Sequence, residues 1–242
     1  MTLLRARLSA VVAAVAVLAG PVPLATAQPG PPPGPVDPGH GAGADPGPVA
    51  APAQRPGCPD IEVIFARGTN DTPGLGTPGD AFVNALRAMV QGRSVNGYAV
   101  NYPASYDFLA AADGAIDATN RVAYMAQNCP QTRLVLGGYS QGAAVVDMLA
   151  GVPPLGNKVG AVGSAPPLPA SLLPNVAAVA VFGNPSAKFS LPLTRSVFAG
   201  RAIDLCKDGD PICSRGRNPF AHDDYVSAGL TQQAASFVAS LV

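Results

Sequence analysis

Residues 133 to 149 read RLVLGGYSQGAAVVDML. After Arg133 the run is apolar to Gly137, which suits a buried strand, and Ala143 to Leu149 carries helical spacing. Between them stands Gly138-Tyr139-Ser140-Gln141-Gly142, a Gly-x-Ser-x-Gly turn. Strand, tight turn and helix form the context in which this pattern is a nucleophile elbow, with the serine hydroxyl lifted clear of the sheet. A Cβ two residues to either side of Ser140 would crowd the neighbouring backbone. The helix that follows aims free N–H groups at negative charge forming near the serine. A plain helix cap is the competing reading, since serine is a favoured N-cap. The choice rests on what else the chain supplies.

Working outward, Ile61–Ala66 is a buried strand that ends at Arg67-Gly68-Thr69, and Asp80 to Val90 places Phe82, Val83, Leu86, Met89 and Val90 at helical spacing. A second strand is expected over Tyr98 to Tyr102. A helix over Ala110 to Asn128 carries Ile116, Val122 and Met125. Beyond the elbow come strands over Val176–Phe182 and Ala202 to Cys206. A closing helix over Tyr225 to Val242 turns Val226, Leu230, Phe237, Val238 and Leu241 inward. Strands apolar throughout, alternating with helices, predict an α/β fold with a parallel sheet covered on both faces. Gly74-x-Gly76-x-x-Gly79 resembles a dinucleotide loop, but it starts well past the strand tip and no acidic residue ends the next strand.

The chain has 242 residues, 48% hydrophobic and 12% charged, with no net formal charge. That allows one domain with a substantial core, or two small ones, and it offers no basic face for nucleic acid. Arg5 and Arg7, the apolar run Leu8 to Ala19 and the small residues Ala25-Thr26-Ala27 predict a signal peptide over 1–27. Its apolar run is shorter than the roughly 20 residues a span needs. No membrane span is expected after cleavage, and the mature chain then carries 13 basic against 15 acidic residues. Residues 28–57, rich in Pro, Gly and Ala, predict a disordered tether that holds His40 away from any rigid site. The folded domain is expected over 58–242, in a secreted protein that is extracellular or associated with the cell wall.

All four cysteines, Cys58, Cys129, Cys206 and Cys213, fall in that domain and suggest two disulfides. Three pairings are possible. Cys206 and Cys213 bracket a short turn and would close it, which leaves Cys58 for Cys129. A metal site is not expected, since there is no Cys-x-x-Cys pair and only one histidine, His222, after the tether. If Ser140 is a nucleophile, His222 is its base, and an acid must orient it. Asp204, Asp208 and Asp210 lie between the two in the order serine, acid, histidine. Asp210 is preferred because it sits inside the cysteine-bracketed turn, and Asp208 is the runner-up. Asp223 and Asp224 read as caps of the last helix. The N–H of Gln141, with the N–H and hydroxyl of Thr69, would serve as oxyanion donors.

Ala66-Arg67-Gly68-Thr69, Gly138-Tyr139-Ser140-Gln141-Gly142, Gly209-Asp210-Pro211-Ile212-Cys213 and His222-x-x-Tyr225 together resemble the cutinase family, in particular its secreted actinobacterial members. The resemblance covers essentially all of 58–242. It implies a small lidless α/β-hydrolase with a five-stranded parallel sheet, no cofactor or metal, and hydrolysis of carboxylic esters. The family's nucleophile, acid and base fall on Ser140, Asp210 and His222, its oxyanion positions on Thr69 and Gln141. Its disulfides pair Cys58 with Cys129 and Cys206 with Cys213.

Two lips frame the expected site. Tyr106, Phe108 and Leu109 form one; Phe220 stands on the other, where Ser214 to Ala221 is polar and basic, unlike the greasy lip of fungal cutinases. Arg215 and Arg217 there suggest lipids with anionic head groups, against the plain reading that they are solvated charges. The expected substrates are short- to medium-chain fatty acyl esters, with the chain acting as a monomer. The alternatives are an acetylxylan-type carbohydrate deacetylase and a non-catalytic cell-envelope binding module.

Overall fold

The computed structural model describes residues 54–156 and 163–242. The leader over 1–27 and nearly all of the tether over 28–57 lie outside the described residues. The described chain folds around five parallel strands: β1 Ile61–Ala66, β2 Val95–Ala99, β3 Arg133–Tyr139, β4 Val176–Phe182 and β5 Ala202–Leu205. They lie in the order β2-β1-β3-β4-β5. The helices are α1 Gly76–Met89, α2 Ala111–Asn128, α3 Gln141–Leu149 and α4 Leu230–Ala239.

β1 and β4 are buried along their whole length, because helices cover both faces of the sheet. Alternate residues divide between two cores. Ile64, Ala66, Leu134, Leu136, Val179 and Val181 pack against α2 and α3. Val63, Phe65, Val135, Ala178, Ala180 and Phe182 pack against α1 and α4. Phe65, Phe82 and Phe182 meet at centroid distances of 5.9 to 6.4 Å at the centre of the second core.

Several boundaries differ from the sequence reading. β2 starts at Val95 and ends at Ala99 rather than spanning Tyr98 to Tyr102. Val100 still donates to the Phe65 carbonyl, but the Asn101 N–H goes to the Asp117 side chain and the Tyr102 hydroxyl to the Arg67 carbonyl. Side chains outbid the ladder there. α4 begins only at Leu230, after Gly229 turns the backbone into the left-handed region at φ 73°. That offset moves its inward face to Thr231, Ala234, Ala235 and Val238, and Asp223 and Asp224 do not cap it. Met89 and Ile116, expected inside, are 44% and 50% exposed. Two glycines of the dinucleotide-like pattern, Gly76 and Gly79, instead open α1, where Gly79 packs on the Phe65 ring, and Gly74 precedes the helix.

Cys58 is bonded to Cys129 and Cys206 to Cys213. The first bridge ties the chain ahead of β1 to the end of α2; the second closes the turn after β5.

Candidate active site

At the C-terminal edge of β3 the backbone of Ser140 adopts φ 55° and ψ −115°, a conformation that non-glycine residues rarely hold. Ser140 N–H donates to the Phe182 carbonyl at 2.9 Å, pinning the elbow to the neighbouring strand. Both glycines are required by close approach. A Cβ on Gly138 would collide with the Gly142 carbonyl, and one on Gly142 with the Ala66 carbonyl. α3 starts at once with Gln141, and Ser140 makes no side-chain cap. The serine hydroxyl is therefore free for another partner.

That partner is His222. Ser140 Oγ lies 2.8 Å from His222 Nε2, and His222 Nδ1 lies 2.8 Å from Asp210 Oδ2. His222 rides on a short 3-10 turn, Pro219–Asp223, which opens with Asn218 accepting from the Phe220 N–H. Asp210 is fully buried in the turn closed by Cys206 and Cys213, and its Oδ1 accepts the Ile212 N–H at 2.7 Å. Burial raises its affinity for a proton, but hydrogen bonds from His222, Tyr225 and Ile212 outweigh that and hold the carboxyl below the usual range. It stays ionised, as an orienting carboxylate must.

The two other aspartates are placed elsewhere. Asp208 is exposed. Asp204 Oδ2 accepts from Asn184 Nδ2 at 2.9 Å and from the Leu193 N–H at 2.8 Å.

Across from the elbow, Thr69 follows β1. Asn70, at φ 55°, donates its N–H to the Ala104 carbonyl at 2.7 Å, which fixes the loop. Arg67 reinforces it by donating to the carbonyls of Tyr102 and Pro103, both at 3.0 Å. Thr69 Oγ1 donates to Gln141 Oε1 at 3.1 Å, so in this arrangement its only hydroxyl proton is committed to Gln141. The backbone N–H groups are then the donors that remain for an oxyanion.

Ser140, His222, Thr69 and Gln141 line a cavity of about 640 Å³, open to solvent, whose apolar wall is Tyr106, Phe108, Ala144, Leu155, Pro185 and Ile212. Tyr106 and Phe108 meet edge-on at 6.2 Å. Leu109 and Phe220 do not line the cavity; they are 55% and 78% exposed. Leu155, Pro185 and Ile212 escaped the sequence reading, because nothing local marks a loop residue as wall. The described residues contain no group of three or more His, Cys, Asp or Glu placed to hold a metal ion.

The model of the cutinase family matches residues 57–242. The chain belongs to the cutinase family. Among curated relatives, Phospholipase Culp4 of Mycobacterium tuberculosis is 50% identical over 197 residues, covering 81% of this chain and 84% of the relative. Carboxylesterase Culp1 of Mycobacterium bovis is 44% identical over 192 residues, covering 76% and 82%. Among solved structures, Trichoderma reesei cutinase with a phosphonate inhibitor superposes with a TM-score of 0.61 at 34% identity, covering 76% of this chain and 77% of that one. The catalytic core of acetyl xylan esterase from the same fungus gives 0.64 at 27% identity, covering 76% and 100%. This cutinase-family chain is a carboxylic ester hydrolase with the five-stranded α/β-hydrolase fold. None of its described helices is long and apolar enough to cross a membrane.

Proposed function

We propose that the chain is a secreted serine esterase acting on short- to medium-chain fatty acyl esters. The observation that carries this reading is the hydrogen-bonded line Ser140–His222–Asp210, with Ser140 and His222 lining an apolar-walled, open cavity and Asp210 buried behind them. Ser140 Oγ attacks the ester carbonyl carbon while its proton passes to His222 Nε2. Asp210 holds the imidazole and stabilises its charged form. The N–H groups of Gln141 and Thr69 receive the oxyanion, each worth about 3 kcal/mol to the transition state. Collapse expels the alcohol, which takes the proton from His222. Water, activated by the same histidine, then releases the acid from Ser140.

The wall from Tyr106 to Leu155 supplies apolar surface to an acyl chain, more than an acetyl group uses. The likeness to acetyl xylan esterase keeps carbohydrate deacetylation as the second reading. Hydrolysis of p-nitrophenyl esters across chain lengths, alongside acetate release from acetylated xylan, separates the two. A butyrate or longer ester should turn over faster than the acetate, and Ser140→Ala should abolish both turnover and fluorophosphonate labelling. Undiminished turnover in that variant would sink the serine mechanism.

A further inference from the structure

Asp210 Oδ2 receives two donors. One is His222 Nδ1–H; the other is the hydroxyl of Tyr225, at 2.7 Å. Tyr225 is 1% exposed, in the turn between His222 and α4. Its own oxygen accepts the Lys207 N–H at 3.2 Å, which points the phenol proton toward the carboxylate, and Cys213 Sγ lies 3.4 Å away. The ring stands edge-on to His222 at 6.3 Å, to Tyr139 at 5.7 Å and to Phe182 at 6.0 Å. Phenylalanine would pack these contacts as well. A buried hydroxyl costs free energy unless it is hydrogen-bonded, and this one is spent on the carboxylate that faces His222.

We propose that Tyr225 is a positioning residue that fixes the Asp210 carboxylate and draws charge from Oδ2, so setting the pH at which His222 serves as base. This rests on the serine-esterase reading above. With Oδ2 shared between two donors, the carboxylate pulls less strongly on the imidazole proton. His222 is then uncharged, and competent as a base, at lower pH than a singly hydrogen-bonded Asp210 would allow. The other titratable or charged groups around this site are Tyr139 from β3, Asp223 from the 3-10 turn, Asp71 from the loop after β1 and Lys188, whose Nζ donates to the Pro211 carbonyl next to Asp210 at 2.6 Å. None of these four hydrogen-bonds Asp210, and Tyr225→Phe leaves all of them in place.

The test uses the full chain. His222 and His40 are its two histidines, so proton NMR can follow the His222 Cε1–H signal, with His40 as internal reference. In Tyr225→Phe the His222 titration midpoint should rise by about half a pH unit, a fraction of what one charged hydrogen bond is worth. The acid limb of kcat/KM for p-nitrophenyl butyrate should move up with it. Tyr98→Phe removes a phenol hydroxyl that bonds Asp117 rather than any residue of this site, and should move neither. Lost activity in Tyr225→Phe with an unmoved midpoint and limb would overturn the proposal, leaving Tyr225 a packing residue. Should that variant not fold, 3-fluorotyrosine placed at position 225 is a stronger donor and should move midpoint and limb down; no movement overturns it. A wild-type chain without esterase activity would instead defeat the serine-esterase reading, and the NMR midpoints would still test the link from Tyr225 to Asp210.

Discussion

The ring of Tyr139 lies against the imidazole of His222, with centroids 5.0 Å apart and planes 27° from parallel. The same side chain donates its hydroxyl to the His222 carbonyl at 2.6 Å. The residue before the nucleophile thus holds the base from two directions. Tyr139→Phe keeps the stack and loses the anchor, so kcat should fall several-fold with KM little changed. Tyr139→Ala loses both and leaves a void at a nearly buried position, costing about 3 kcal/mol in denaturant unfolding. A Tyr139→Phe enzyme with unchanged kcat would remove the hydroxyl from the account.

The two disulfides should trade stability against activity. Cys58–Cys129 spans 71 residues and Cys206–Cys213 only 7, so chain entropy assigns the long bridge about 4.4 kcal/mol and the short one about 2.5 kcal/mol. Yet the short bridge closes the turn that holds Asp210. Replacing Cys58 and Cys129 by alanine should lower the unfolding free energy more. Replacing Cys206 and Cys213 should lower kcat more. Chemical denaturation and p-nitrophenyl butyrate kinetics on both double variants check the crossing, and one variant worse on both counts would contradict it.

Asp147 sits fully buried on α3, its Oδ1 accepting from Asn184 Nδ2 at 3.1 Å. Burial pushes this carboxyl well above the ordinary range. Hydrogen bonds from Asn184 and Ser186 pull it part of the way back, and the charge of Asp204 pushes it further up. The folded chain therefore holds this proton more tightly than the unfolded chain. The resulting stabilisation is complete below the unfolded carboxylate's pKa and is lost as pH rises through the folded value. Asp147→Asn keeps an acceptor for Asn184 and cannot ionise. As pH rises above about 4, the ordinary carboxylate value, the melting temperature of the wild type should fall relative to that of the variant. Calorimetry showing the opposite trend would contradict the assignment.

Arg215 and Arg217, in the segment between Cys213 and His222, are exposed and make no hydrogen bond or ion pair among the described residues. A basic residue near an anionic lipid surface is worth about 1 kcal/mol, so the pair should favour such surfaces by roughly tenfold or more at low salt. The Arg215→Ala, Arg217→Ala double variant should lose that factor on phosphatidylglycerol vesicles while cleaving p-nitrophenyl butyrate at the wild-type rate. Equal loss, or none, on neutral and anionic lipid esters would leave the two arginines as solvated charges.

β1, β3 and β4 are legible in the sequence because helices cover both faces of the sheet, which demands unbroken apolar runs. β2 is not. It is a half-exposed edge strand, and its limits depend on the Asp117 carboxylate and the Arg67 guanidinium, which capture the Asn101 N–H and the Tyr102 carbonyl that would otherwise extend the ladder. The start of α4 is hidden for a similar reason: the apolar spacing runs through Gly229, and the left-handed turn there is invisible to periodicity.

The elbow at Ser140 is a local device. Strand, glycines and helix lie within one short stretch, so the sequence alone determined its form, as it did the pool of one histidine and three candidate aspartates, Asp204, Asp208 and Asp210. Folding made the selection among them. Asp204 turns to Asn184 and Leu193, Asp208 to water and Asp210 to His222. The tertiary structure alone also decided that Tyr139 and Tyr225 enclose that histidine, and that Leu155 and Ile212 wall the cavity. Period and spacing record which face of an element is apolar. They carry no record of which side chains, distant along the chain, arrive within 3 Å of one another.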